Sequence, residues 1–168
     1  MKTKFTGIAA ALLCGAQLFN AAQAVDINMS GTLVAPPCMI NSDAPVIVDF
    51  GNVDMTTLAT IDTPYQITPQ AIPVNCPVTT GTPTLTITGA AHDAAAGTIE
   101  TSKYTEGLVA YILQTDGITP VKINEGVDIS SSLTGGNLNL NFALGIKEAG
   151  LLVPGAFSAT ATMALTYL

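Results

Sequence analysis

The chain reads as an all-β protein, an antiparallel sandwich, and three observations predict it. Helical periodicity is nearly absent after residue 24. Short runs rich in Val, Ile, Leu and Thr recur about every ten residues, set apart by Gly, Pro, Asn and Asp. Within those runs apolar and polar residues alternate with the period of two that gives a strand one buried face.

The first segment stands apart from this pattern. Lys2 and Lys4 form a basic start, Gly7 to Phe19 is apolar and uncharged, and Ala22-Gln23-Ala24 has the small-x-small pattern that signal peptidase reads. Residues 1–24 are therefore expected to be a secretory signal, cut after Ala24. Gln17 and Asn20 interrupt the run short of the roughly 18–20 apolar residues a membrane anchor needs. Cys14 goes with the signal, since Leu13 occupies the place where a lipoprotein signal wants a small residue. The mature chain, 25–168, is then 144 residues, enough for one domain with a substantial core.

The mature chain opens on "VDINMSGTLVAPPC", with Val25, Ile27, Met29, Gly31 and Leu33 on one side and Asp26, Asn28, Ser30 and Thr32 on the other. Pro36-Pro37 ends the run, because proline donates no N–H and restricts its predecessor. "APVIVDFG" (44–51) alternates Val46, Val48 and Phe50 as the next strand. "YQITPQAIPVNC" (65–76) carries Ile67, Ile72 and Val74, and Pro69 and Pro73 imply a bent or edge position. "PTLTITG" (83–89) sets Leu85 and Ile87 against threonines. A looser stretch follows, and "LVAYILQ" (108–114) resumes strand character. Asp116-Gly117 is a turn leading into a strand at "TPVKIN" (119–124), and Gly135-Gly136 is a turn before "NLNLNFALGI" (137–146). The closing strand, 156–167, places Phe157, Ala159, Ala161, Met163, Leu165 and Tyr167 on one face.

From Cys38 onward about seven strands are expected, without a repeat or a second domain, and an immunoglobulin-like sandwich is the natural architecture. Such a sandwich calls for one more strand after the last one found. The head of the mature chain carries an alternating strand to spare.

Two cysteines remain after the signal, Cys38 and Cys76, 38 residues apart. In an oxidising compartment a lone pair in a small secreted domain reads as a disulfide. Closing that loop is worth about 4 kcal/mol on the chain-entropy account. Three lysines (Lys103, Lys122, Lys147) face twelve carboxylates in the mature chain, a balance of −9 with no arginine. Nucleic acid and anionic membrane would repel such a surface, so neither binding is expected.

Together the motifs resemble the subunits of bacterial chaperone–usher pili. They are the alternating extension with central Gly31, "APPCMI" around Cys38, "VDFGNV" at 48–53, "IPVNC" before Cys76, "LTITGAA" at 85–91, and an ending of Gly155, Phe157, Ala159, Ala161 and penultimate Tyr167. The match spans 25–168. The resemblance implies a 25–35 donor-strand extension and a 36–168 pilin domain, an incomplete sandwich lacking its last strand. It implies a donor face of Val25, Ile27, Met29, Gly31 and Leu33, and a receiving edge along Phe157, Ala159, Ala161, Met163, Leu165, Tyr167 and Leu168. It also implies as partners a periplasmic chaperone that grips the Leu168 carboxylate, an outer-membrane usher and neighbouring subunits, with export through the periplasm to the surface pilus. A shaft or a tip-adaptor subunit both fit.

Enzymatic constellations are not found in the sequence. His92 is the one histidine and falls in a loop, "GAAHDAAAG", expected at the surface. No CxxC, phosphate-loop or dinucleotide motif occurs. The expectation is a structural protein without catalytic, metal or cofactor-binding residues and with no cofactor. The competing reading is an autonomous secreted sandwich that binds a sugar or receptor, with 25–34 completing its own sheet.

Overall fold

The computed structural model describes residues 26–34 and 36–168, so the expected signal (1–24) with Cys14, and Val25, lie outside the described residues. The chain divides into two units that meet between Leu33 and Val34. Residues 26–33 carry neither strand nor helix, and Ile27, Met29 and Leu33 are 82%, 90% and 103% exposed.

The second unit is built from nine strands: β1 Met39–Ile40, β2 Tyr65–Asn75, β3 Pro83–Gly89, β4 Thr98–Glu100, β5 Leu108–Leu113, β6 Gly126–Asp128, β7 Leu133–Thr134, β8 Asn137–Ile146 and β9 Ala161–Tyr167. One sheet runs β1-β2-β8-β5-β4 with β7 also on β8, and the other runs β6-β3-β9. Every strand pair is antiparallel. Leu85, Ile87 and Leu165 from the small sheet meet Leu108, Ile112, Leu138, Leu140 and Leu144 from the large one in a single buried core. That is the two-layer arrangement alternating strands require. The Cys38–Cys76 disulfide joins the two residues flanking the β1–β2 pair.

Gly135 and Gly136, with φ of 60° and 77°, make the two-residue turn between β7 and β8, a conformation glycine reaches without strain. At Asp116-Gly117 the Asp116 carboxylate accepts from the N–H groups of Ile118 and Thr119 and closes the expected turn.

Several segments depart from the sequence reading. Residues 119–124 form only isolated bridges at Pro120 and Ile123, and the strand falls later, at β6. The loose stretch holds a short strand, β4, which the sequence does not announce. Strand β5 is buried on both faces: Val109, Tyr111 and Leu113 form a second small cluster with Ala143 under Tyr104, so alternation could not mark an outer face there. His92 is half-buried rather than exposed, with its Nδ1 3.1 Å from the Tyr104 hydroxyl. The closing strand starts at Ala161, and residues 156–160 belong to no ladder. Most consequential for the site, residues 44–50 form no strand at all.

Candidate functional site

Strand β9 is the edge of the small sheet. Beyond its last residue, Leu168 and Thr82 exchange both backbone bonds, at 3.0 and 2.8 Å, which fixes the alternation along the ladder. Thr166, Ala164 and Thr162 therefore turn their backbone groups toward β3, while Leu165, Met163 and Ala161 turn theirs away from the sheet. The Leu165 carbonyl accepts from the Cys38 N–H at 2.9 Å. Met163 and Ala161 have no backbone partner on that side among the described residues. Their side chains face inward, Met163 against the core.

Opposite this edge runs the segment 44–50. Its side chains keep strand-like alternation, with Val46 and Phe50 packed on the core, Val48 half-buried and Ile47 81% exposed. Yet no hydrogen bond reaches the backbone of residues 46–49 among the described residues. This explains the departure above. The apolar pattern is that of a strand, but a strand also needs a neighbour, and here none is supplied.

Between 46–50 and 157–163 lies a furrow floored by Ile87, Ile99, Ala110, Ile112 and Phe142. It comprises a cavity of about 370 Å³ at the Val46–Ile47 and Ala159–Met163 end and one of about 590 Å³ toward Met55, Leu58 and Leu152. Val48, Phe50 and Phe157 border both, and the two phenyl rings approach to 6.2 Å between centroids where the cavities meet. The furrow is thus narrowest at its middle. Lys103, paired with Glu106, stands at the rim of the larger cavity.

The other long edge is treated differently. Val74 donates to the carbonyl of Gly136, in the turn just before β8, so residues 68, 70 and 72 of β2 also face β8 and residues 69, 71 and 73 face outward. Two of those three are Pro69 and Pro73, leaving Ala71 with the one outward N–H. Proline at outward positions is a recognised defence against unwanted strand pairing. The β9 edge carries no such defence.

Of the seven tail residues singled out in the sequence, Phe157, Ala159, Ala161 and Met163 line the furrow. Leu165 is fully buried in the core, Tyr167 is half-buried opposite Pro83, and Leu168 is exposed, with its terminal carbonyl held by Thr82. The second wall, 44–50, was missed as part of the site. Its alternation was legible, but its lack of a partner depends on where the chain places it. Among the described residues no group of three His, Cys, Asp or Glu side chains is placed to hold a metal, and no helix is long and apolar enough to cross a membrane.

Comparison with known proteins bears on this geometry. The model of the Fimbrial protein family matches residues 27–168. Two Escherichia coli proteins, the fimbrial adapter PapF and the minor fimbrial protein PrsF, are each 25% identical over 149 residues, covering 85% of this chain and 87% of theirs. The crystal structure of the P pilus rod subunit PapA is similar with a TM-score of 0.58 and 25% identity, over 85% of this chain and 100% of PapA. The structure of the P pilus adaptor subunit PapF shares the fold with a TM-score of 0.55 at 22% identity, over 80% of this chain and 98% of that one. The chain belongs to the fimbrial protein family and is a structural subunit of a surface pilus, assembled with other pilus subunits.

Proposed function

We propose that the furrow receives an extended segment from a neighbouring subunit, and that residues 25–34 of this chain fill the furrow of the next. The observation that carries this reading is the pair of facing walls, β9 and 44–50, with apolar cavities between them and backbone groups unpaired on both sides. Exposed apolar cavities and open strand edges are aggregation hazards unless covered. Strand addition at such an edge is a general mode of recognition, and donor-strand complementation in pili is among its standard examples.

The donor row fits the furrow in one register. All strand pairs here are antiparallel, so an added strand continues that order beside β9. With Gly31 at the Phe50–Phe157 narrowing, where a side chain would collide, Met29 falls opposite Ala159 and Ile27 opposite Ala161. Leu33 then enters the larger cavity. Burying Val25, Ile27, Met29 and Leu33 contributes about 6–12 kcal/mol gross, before the cost of ordering the segment.

Chain length makes the exchange intermolecular. The five residues from Leu33 to Cys38 span at most about 18 Å. Cys38 is bonded at Leu165, whereas the proposed register seats Leu33 beyond Ala161, the first residue of β9, at the opposite end of the furrow, so a donor from the same molecule would have to cross the length of the furrow before turning back along it. This also weighs against the autonomous sandwich closed by its own head.

A folding partner follows from the same exposure. Until a neighbour arrives, a periplasmic chaperone covers the furrow, with Phe157, Ala159, Ala161 and Met163 as contacts and Leu168, paired with Thr82, beside the end of β9. An outer-membrane usher then exchanges chaperone for donor. The subunit works without cofactor or turnover. Its likeness to an adaptor, a minor and a rod subunit over most of its length fits an adaptor or a shaft position, and in a shaft the extension and the furrow belong to copies of the same chain. Expression in a periplasm with and without a chaperone tests the reading: the chain should be degraded or aggregate alone and accumulate with its partner. Accumulation as a stable solitary monomer would refute it.

A further inference from the structure

Segment 44–50 poses a mechanical question: a wall that no sheet holds should not stay in place. Its two ends are fastened instead by side-chain amides. Asn41 Nδ2 donates to the carbonyls of Ala44 and Pro45 at 3.1 and 3.0 Å, and Gln66 Nε2 donates to the carbonyl of Phe50 at 2.7 Å. Both amides stand on unusual backbone. Asn41, Ser42 and Asp43 have φ of 49°, 52° and 62°, three successive left-handed residues that reverse the chain after β1. Gln66, with φ of 51°, occupies the bulge between Tyr65 and Thr68 where the β2–β8 register slips. Left-handed backbone is costly for residues other than glycine, and a bulge re-aims a side chain out of its row. Here the bulge aims Gln66 at the residue whose ring narrows the furrow against Phe157.

We propose that Asn41 and Gln66 are positioning residues that hold 44–50 extended at the furrow while leaving its backbone groups free. A ladder would fix the wall equally well but would consume the edge an incoming strand needs. Two side-chain clips fix it and leave residues 46–49 open. A wall ordered in advance reduces what the incoming segment must pay in entropy, so the clips act on the rate of uptake. This inference rests on the proposed function and adds the residues that prepare the site.

The test uses the mature chain purified as a complex with a co-expressed periplasmic chaperone, freed from it in denaturant and refolded by dilution at low concentration, with a synthetic peptide of residues 25–35 as probe. Gln66→Glu keeps the shape and removes the donor. Gln66→Gly removes the clip and also relieves the left-handed strain, so its own stability should hold or rise. Both Gln66 variants, which lose one hydrogen bond, should take up the peptide about tenfold more slowly than the unaltered chain, and Asn41→Asp, which loses two, should be slowed at least as much. Uptake at the unaltered rate overturns the inference. So does slowing that occurs only where the melting temperature falls in step, since that marks a purely structural role. An unaltered chain that takes up no peptide refutes the proposed function instead, a distinct result.

Discussion

Replacing Ile27 by aspartate separates donor action from folding. Ile27 is 82% exposed, so the substitution should cost the folded subunit little. In the proposed register it falls opposite Ala161, in a furrow lined by Ile87 and Ile112. There the variant loses about 2 kcal/mol of apolar burial. Its carboxyl must also be neutralised to enter, which at pH 7, some three units above its ordinary value, costs about 4 kcal/mol. The sum, about 6 kcal/mol, weakens binding by roughly 10⁴-fold. The defect must shrink as pH falls, because neutralisation then costs less: at pH 5 it is about 1.5 kcal/mol, leaving a few-hundred-fold deficit. Competition between peptides 25–35 with and without the change, read by fluorescence anisotropy at both pH values, supplies the assay. Asn28→Asp, on the outward row, serves as the control and should bind as the parent does. If Ile27→Asp binds like the parent at pH 7, or if its deficit is independent of pH, the inward assignment of Ile27 is wrong.

Removing the disulfide by Cys38→Ser and Cys76→Ser opens a 38-residue loop and should lower the unfolding free energy by about 4 kcal/mol, with a change below about 1 kcal/mol in denaturant titration contradicting the loop argument. In Gly145→Ala the new Cβ would stand 2.5 Å from Tyr111 Cε2 and 2.8 Å from the Thr63 carbonyl oxygen, so a loss of about 1–3 kcal/mol is expected and an unchanged melting temperature would show that the outer cluster yields. Burial, with Asp62 and Asp93 nearby, pushes the Tyr111 hydroxyl up to about 12. An unfolded tyrosine ionises near 10, so stability holds below about pH 10 and falls as pH rises through 12, visible as a late step in ultraviolet titration that coincides with unfolding. At the acid end, hydrogen bonds from Thr119 and Ser130 hold the carboxyls of Asp116 and Asp128 below their ordinary 3.8. Their contribution is present above about 3.8 and disappears as pH drops further, so Thr119→Val should flatten acid unfolding, and an identical profile would contradict this.

What could be read from the sequence follows the physics of each segment. A strand with one buried face, such as 83–89, announces itself because alternation and burial coincide, whereas 137–146 alternates in sequence but is buried on both faces in its second half, where Ala143 joins the outer cluster. Pro69 and Pro73, read as a bent or edge position, fall on the stretch of β2 that β1 leaves uncovered, since β1 pairs only with Val74 and Asn75. Strand β5 hides its second cluster because Tyr111 and Val109 look outward-facing until Tyr104 is seen to cover them. Residues 44–50 mislead in the opposite sense: the side-chain pattern is local and present, but pairing depends on a neighbour that the fold does not place there. The same holds for Asn41 and Gln66, two polar residues among many, whose importance comes from left-handed backbone and a bulge that no composition reveals. The tail residues that line the furrow and those that do not share one alternating row. Only the full burial of Leu165 and the pairing of the chain end with Pro83 and Thr82 tell them apart.

Backbone hydrogen exchange at Ala161 and Met163 tests the central claim most directly. Both amides should exchange freely in the subunit alone and become strongly protected once a peptide of residues 25–35 is bound, while the amides of Thr162 and Ala164, already paired with β3, change little. Protection of Ala161 and Met163 in the isolated subunit, or free exchange that persists with the peptide bound, would contradict an open edge completed by a neighbour.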